Sequence, residues 1–297
     1  MKVLLFGPNG QVGGALRGTL PAHADMVAIG RDEADFMQVG RLAQIVRAER
    51  PDIVINAAAY TAVDRAEGEP DLAERINAGA PGELARAAAE LGAWVIHYST
   101  DYVFDGRKEG AYVEEDATAP LNVYGRSKRN GEIAVAASGA QHLALRTSWV
   151  HAPGGGNFIA KILKAAGERD ELTVIDDQIG TPTSASLIAR MTIEALVRIE
   201  EGRGIPAGIY HLTAAGETSW NGYARQVVAQ AIAQGVALRT RPETVLPVAS
   251  TAFATAASRP ANSRLSTRKL REALMAEMPD WQEGVRETLA ALLLERP

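Results

Sequence analysis

The sequence predicts an α/β fold, a doubly wound parallel sheet with a smaller, interleaved C-terminal part. Three observations carry this. Short apolar runs recur through the first half: KVLLF (2–6), MVAIG (26–30), DIVIN (52–56), WVIHYS (94–99) and LALRT (143–147). Amphipathic segments such as LAQIVRAER (42–50) and LAERINAGAPGELARAAAELG (72–92) separate them. Glycines at three-residue spacing, Gly7, Gly10 and Gly13, directly follow the first run. Continuous apolar runs mark strands buried on both faces, and helical patterns between them imply right-handed βαβ crossovers.

Taken in order, the first strand ends in the turn FGPNGQVGGAL (6–16), which opens a helix. Glycines let the backbone approach a pyrophosphate, and the helix N-terminus offers unpaired N–H groups, so this is a dinucleotide site of the Rossmann type. The second strand runs into AIGRDEADF (28–36). An acid at that strand end would bond the ribose of NAD; here Gly30 occupies the place and Arg31 follows. A guanidinium forks onto phosphate, which favours NADPH, while Asp32 leaves a ribose contact and hence NADH open. Asp35 and Phe36 flank the adenine. The third strand leads into NAAAYT (56–61), whose alanines let the backbone lie against a cofactor. The fourth ends in HYSTDYVF (97–104), placing Ser99 and Thr100 at the crevice end of a parallel strand. His97, between Ile96 and Tyr98, reads as a packed strand histidine.

A soft boundary falls near Thr147. Residues 1–147 form the dinucleotide-binding domain, and 148–297 the mainly substrate-binding part, partly interleaved with it. There 158–167, 186–200, 223–234 and 281–295 read as helices, 172–175 and 208–212 as short strands, and Pro242 to Pro260 as loop. Asp176 and Asp177 read as a loop pair.

The stretch NVYGRSK (122–128) sets Tyr124 and Lys128 four residues apart, one face of a helix. Reducing a ketone needs a hydride and then a proton for the oxygen. A tyrosine can donate that proton, and an ammonium one turn away stabilises the phenolate and is expected to lower its pKa. A hydroxyl from another element, at Ser99 or Thr100, would orient the carbonyl. A lone Tyr-x-x-x-Lys is common on helix surfaces; its weight here comes from its order after the glycine turn and the Ser/Thr cluster.

Composition closes off other classes. The chain has 297 residues, a formal net charge of −5 and no cysteine, so disulfides, thiolate chemistry and Cys-ligated zinc are excluded and no nucleic-acid surface is indicated. Its five histidines lack metal-ligand spacing. No run approaches the ~20 apolar residues of a membrane helix, and MKVLLFG is too short for a signal peptide. The expectation is a cytoplasmic protein with a small-molecule substrate and no metal.

The glycine spacing resembles the extended branch of the short-chain dehydrogenase/reductase superfamily. INAAAYTAVDRAE, GAWVIHYSTDYVF, APLNVYGRSK, LRTSWV, DDQIGTPT and RPANSRL, in this order over nearly the whole chain, resemble the dTDP-4-dehydrorhamnose reductase family. The resemblance implies NADPH-dependent reduction of a dTDP-linked 4-keto sugar. It implies that Tyr124 is the proton donor with Lys128 its partner, that Thr100 polarises the carbonyl, and that Asp101 and Tyr102 lie near the substrate. It places Trp149 against the sugar, Gln11 and Val12 at the pyrophosphate, and Ala59, Tyr60, Thr61 and Tyr98 along the cofactor. Gln178 and the segment with Arg259, Asn262 and Arg264 would face the substrate nucleotide. By packing alone, Trp149 is also a core aromatic, and Tyr60 and Tyr98 border residues. One departure stands out: many family members carry a glutamate early in the first helix, implicated in a magnesium-bridged dimer. Here that place is Ala15, which cannot ligate a metal, so monomer and homodimer both stay open. Three other activities fit the scaffold: a reductase of a related 4-keto-6-deoxy sugar, an epimerase or dehydratase, and a non-catalytic regulatory subunit.

Overall fold

The computed structural model describes residues 1–154 and 156–294. Its centre is a six-stranded sheet of β1 (Lys2–Phe6), β2 (Asp25–Ile29), β3 (Ile53–Asn56), β4 (Trp94–Thr100), β5 (His142–Thr147) and β6 (Gly208–His211). The spatial order is β2-β1-β3-β4-β5-β6, and every pair is parallel. β6, from the C-terminal half, completes the sheet beside β5.

Alternation along each strand divides the core. Val3, Leu5, Ile53, Ile55, Ile96, Leu143 and Leu145 pack on one face with the helices Ala185–Glu200, Trp220–Ala233 and Trp281–Leu294. Leu4, Phe6, Val54 and Val95 pack on the other with Arg41–Glu49 and Ala80–Leu91. This two-sided burial is why the strands read as unbroken apolar runs.

The chain winds from β1 to β2 on one side, then from β3 onward to the other. Phe6 is in register with both Ile29 and Asn56. The carboxyl ends of these strands therefore open at one level, at the switch point where such sheets bind ligands.

Two expectations need correction. The predicted helix 72–92 is not uniform: Pro70–Glu74 and Ala80–Leu91 are α-helical, but Arg75–Gly79 is a π turn. The 242–260 stretch is not all loop, since Val245–Val248 pairs in parallel with Leu172–Ile175. Pro247 masked this strand, yet a two-stranded edge tolerates a missing N–H. The acidic pair has the loop role anticipated: Asp177 accepts from Ser250 N at 3.0 Å, and Asp176 accepts from the Ser219 hydroxyl. Among the described residues no helix is long and apolar enough to cross a membrane.

Candidate active site

The glycine turn is built by close approach. Gly7 has φ +79°, and a Cβ there would lie 2.6 Å from the Ala58 nitrogen. The turn thus presses against the chain leaving β3, and only glycine permits both conformation and contact. Above it opens a cavity of about 500 Å³ whose walls include Gly10, Gln11, Val12, Ala59, Thr61 and Tyr98. Tyr124 and Lys128 form part of the same wall. A second cavity, about 130 Å³, adjoins it through Gly7, Ala58 and Ala59, and is lined by Arg31, Asp35 and Phe36. Arg31 is exposed there. Phe36 is buried edge-on against Phe6, with centroids 6.1 Å apart. Ser99 Oγ and Thr147 Oγ1, of residues lining the larger cavity, are buried without a partner among the described residues. A dinucleotide fits this site: a cradle with no room for a side chain, an adjoining pocket for a base, and unspent polar atoms.

Tyr124 and Lys128 sit on the helix Val123–Ala136. Asn122 starts it: its Oδ1 accepts from Gly125 N at 2.7 Å and its Nδ2 donates to Ser258 O at 2.7 Å. Glu67 accepts from Val123 N at 2.7 Å. Lys128 Nζ donates to the Tyr98 carbonyl at 2.5 Å. Burial holds this amine down at about 8, and the Glu132 charge opposes the shift.

The expected lowering of the Tyr124 phenol is not found. Burial pushes it up to about 12, a hydrogen bond with Thr100 pulls it partly back, and the Asp101 charge adds to the rise. Lys128 is aimed at the Tyr98 carbonyl, so its charge does not offset the loss of solvent. Tyr124 therefore holds its proton across the neutral range.

Thr100 ends β4. Its Oγ1 donates to Asp101 Oδ1 at 3.0 Å and accepts from Tyr102 N at 3.2 Å. Asp101 is pushed up to about 6 by burial, against hydrogen bonds from Ser263 and Thr100, and its Oδ2 has no partner among the described residues. The Tyr102 ring packs edge-on to Tyr124, with centroids 5.7 Å apart. Thr100, Asp101, Tyr102 and Tyr124 thus form one cluster.

Other expected residues are engaged elsewhere. Tyr60 turns its hydroxyl to Glu69 at 2.5 Å, and the Tyr98 hydroxyl meets Thr192 Oγ1 at 2.7 Å, so Tyr98 offers Lys128 its carbonyl alone. Trp149 adopts φ +47° and stacks on Trp220 at 3.7 Å, while Gln178 Oε1 accepts from Trp220 Nε1 at 3.2 Å. Arg259 pairs with Asp64 at 2.6 Å and lies against Tyr102. Asn262 spends its amide on Lys108 O, Gly110 O and Arg264, which makes it a clip for the segment. Arg264 reaches Glu217 at 3.3 Å. Ala15 packs against the core and offers no ligand atom.

Sequence reasoning missed Asn77 and Glu132. From the π turn, Asn77 brackets the Tyr60 backbone, with bonds of 2.8 and 3.0 Å, and donates to Ser127 Oγ at 2.9 Å. Glu132, one turn beyond Lys128, forks onto Arg146 of β5 at 2.8 and 2.7 Å. The sequence signal for Asn77 was weak: a glycine and a proline, Gly79 and Pro81, inside a helical pattern.

The family model described as the RmlD substrate binding domain matches residues 1–294. The chain is 46% identical over 296 residues to dTDP-4-dehydrorhamnose reductase of Escherichia coli (strain K12), covering 98% of each. It superposes with a TM-score of 0.89 at 34% identity on the dTDP-4-dehydrorhamnose reductase of Bacillus anthracis str. Ames in complex with NADP, covering 97% of this chain and 98% of that one. A dTDP-4-dehydrorhamnose reductase ortholog from Clostridium acetobutylicum ATCC 824 also gives 0.89, at 32% identity and full coverage of both chains.

Proposed function

The chain belongs to the RmlD substrate binding domain family, and from that premise we propose how its residues divide the work. Its reaction is the NADPH-dependent reduction of dTDP-4-dehydrorhamnose in dTDP-rhamnose synthesis. The finer assignment is reduction of the C4 ketone of dTDP-4-dehydro-β-L-rhamnose to dTDP-L-rhamnose.

The observation that carries the assignment is a half-buried Tyr124 opening into the cavity that begins at the glycine turn, with Lys128 in the same wall. Gly7, Gly10, Gln11, Val12 and Gly13 hold the pyrophosphate, Arg31 the 2′-phosphate, and Asp35 and Phe36 the adenine. NADPH, when bound, supplies the hydride. Lys128 holds the nicotinamide ribose. Thr100, whose hydroxyl rests on Asp101, turns it to donate to the C4 oxygen and so orients the ketone. The Tyr124 O–H bond breaks as the proton passes to the C4 oxygen, and the phenolate left behind is reprotonated from solvent. Much of the rate then comes from proximity and a site already polarised for the forming alkoxide. Trp149, Gln178, Arg259 and Arg264 lie along the substrate side, and Asn262 shapes that segment.

The test is consumption of NADPH, with NADH in parallel, by the pure protein given enzymatically generated dTDP-4-dehydro-β-L-rhamnose. Turnover to dTDP-L-rhamnose with NADPH preferred is expected. Tight cofactor binding without turnover would overturn the substrate assignment.

A further inference from the structure

The end of β2 holds a carboxylate that the cofactor reading leaves unused. Gly30 lies where an acid would reach the adenosine ribose, but the chain folds back at once. Glu33 N and Ala34 N both donate to Gly30 O, at 3.2 and 3.0 Å. This turn returns the Glu33 side chain to the strand end, where Oε2 accepts from Gly30 N at 3.0 Å. A Cβ on Gly30 would lie 3.7 Å from that oxygen and 3.9 Å from Asn9 Nδ2. The carboxylate is thus drawn to the gap between the strand end and the glycine turn. On the glycine-turn side Arg17 donates to Asn9 Oδ1 at 3.3 Å, and Gly30 and Arg31 line the smaller cavity. Asp32 and Glu33 are exposed, like Arg31.

We infer that Glu33 is a cofactor-selecting residue: its carboxylate, folded onto Gly30, takes the place of the missing strand-end acid and opposes the 2′-phosphate that Arg31 attracts. This rests on the NADPH reading above. An acceptor at that position suits a ribose 2′-hydroxyl, whereas a phosphate of about two negative charges is repelled. Across about 6 Å of water such a pairing is worth roughly tenfold in affinity, and a few-fold once salt screens it. Arg31 and Glu33 therefore pull in opposite directions, and the chain takes both nicotinamide nucleotides with a narrowed preference.

The test is calorimetric titration of the intact protein with NADP⁺ and NAD⁺, which needs no sugar substrate. Glu33→Gln should raise the NADP⁺ over NAD⁺ affinity ratio by about threefold or more, and added salt should shrink the difference. Glu33→Ala should give the same shift, because the two main-chain bonds to Gly30 close the turn without the side chain. Arg31→Ala should move the ratio the other way. If both Glu33 variants bind the two nucleotides in the wild-type ratio, the inference is overturned while the cofactor reading stands. If the wild type binds neither nucleotide, both fall.

Discussion

Replacing Glu132 by glutamine tests what holds the helix bearing Tyr124 and Lys128. The Glu132 and Arg146 side chains are 3% and 2% exposed, and the carboxylate forks onto the guanidinium through two bonds. Arg146 also lies over the Phe104 ring at 5.0 Å, and its Nη1 already lacks a partner. Removing the carboxylate charge leaves a buried cation uncompensated. Breaking such a pair costs about 3–5 kcal/mol; glutamine keeps one acceptor, so about 3 kcal/mol is expected, read by urea denaturation. A second effect reaches the amine. Glu132 raises Lys128, so without it Lys128 falls below about 8. Less of it is then charged near neutrality, and the alkaline limb of kcat/KM moves to lower pH. The double variant Glu132→Leu, Arg146→Met removes both charges; it should recover most of the stability and keep the shifted limb. A loss below about 1 kcal/mol, the worth of an exposed pair, with an unmoved limb would refute this reasoning.

Three other outcomes follow from other packed groups. Burial holds His97 well below the ordinary histidine range, His151 at about 4 and His211 at about 3, with the Arg146 charge adding to the last. Unfolded, each binds a proton near pH ~6.5, so stability falls as the pH drops below that, by roughly 1.4 kcal/mol per pH unit for each. Asp101, at about 6 in the fold, works the other way between its unfolded value and 6 and cancels about one histidine. The unfolding free energy from urea denaturation should therefore fall between pH ~6 and pH ~5 by roughly 3 kcal/mol from these groups; a flat response would contradict their neutral burial. Asn77→Ala strands the Tyr60 N–H, the Tyr60 carbonyl and a Ser127 bond. It should cost about 2–4 kcal/mol, and a thermal melt within error of wild type would contradict that. Trp149→Ala leaves Trp220 and the face of Gly180 without the stacked ring. It should cost about 3 kcal/mol and raise KM for the sugar nucleotide; an unchanged KM would remove Trp149 from the substrate side.

The legible parts of this chain were those set by local pattern. The strands of the sheet announced themselves because both faces are buried, and Gly7 because its turn joins a strand to a helix. Tyr124 and Lys128 were legible through helical spacing read together with their order after the glycine turn and the Ser/Thr cluster. What escaped depends on partners distant in sequence. Glu132 and Arg146 are 14 residues apart and meet only when the helix docks on β5. From the π-helical segment Asn77 bonds to Tyr60 and Ser127, 17 and 50 residues away. The shift of Tyr124 was misjudged for a related reason. Spacing shows that a lysine is near, but only packing shows that burial outweighs it and that Lys128 Nζ turns to the Tyr98 carbonyl.

The most direct measurement compares wild type with Tyr124→Phe in two assays on one preparation, NADPH binding by fluorescence and NADPH consumption with dTDP-4-dehydro-β-L-rhamnose. The account predicts binding within about twofold of wild type and a kcat lower by at least ~100-fold, the worth of a positioned proton donor. Turnover at the wild-type rate by the phenylalanine variant would contradict it.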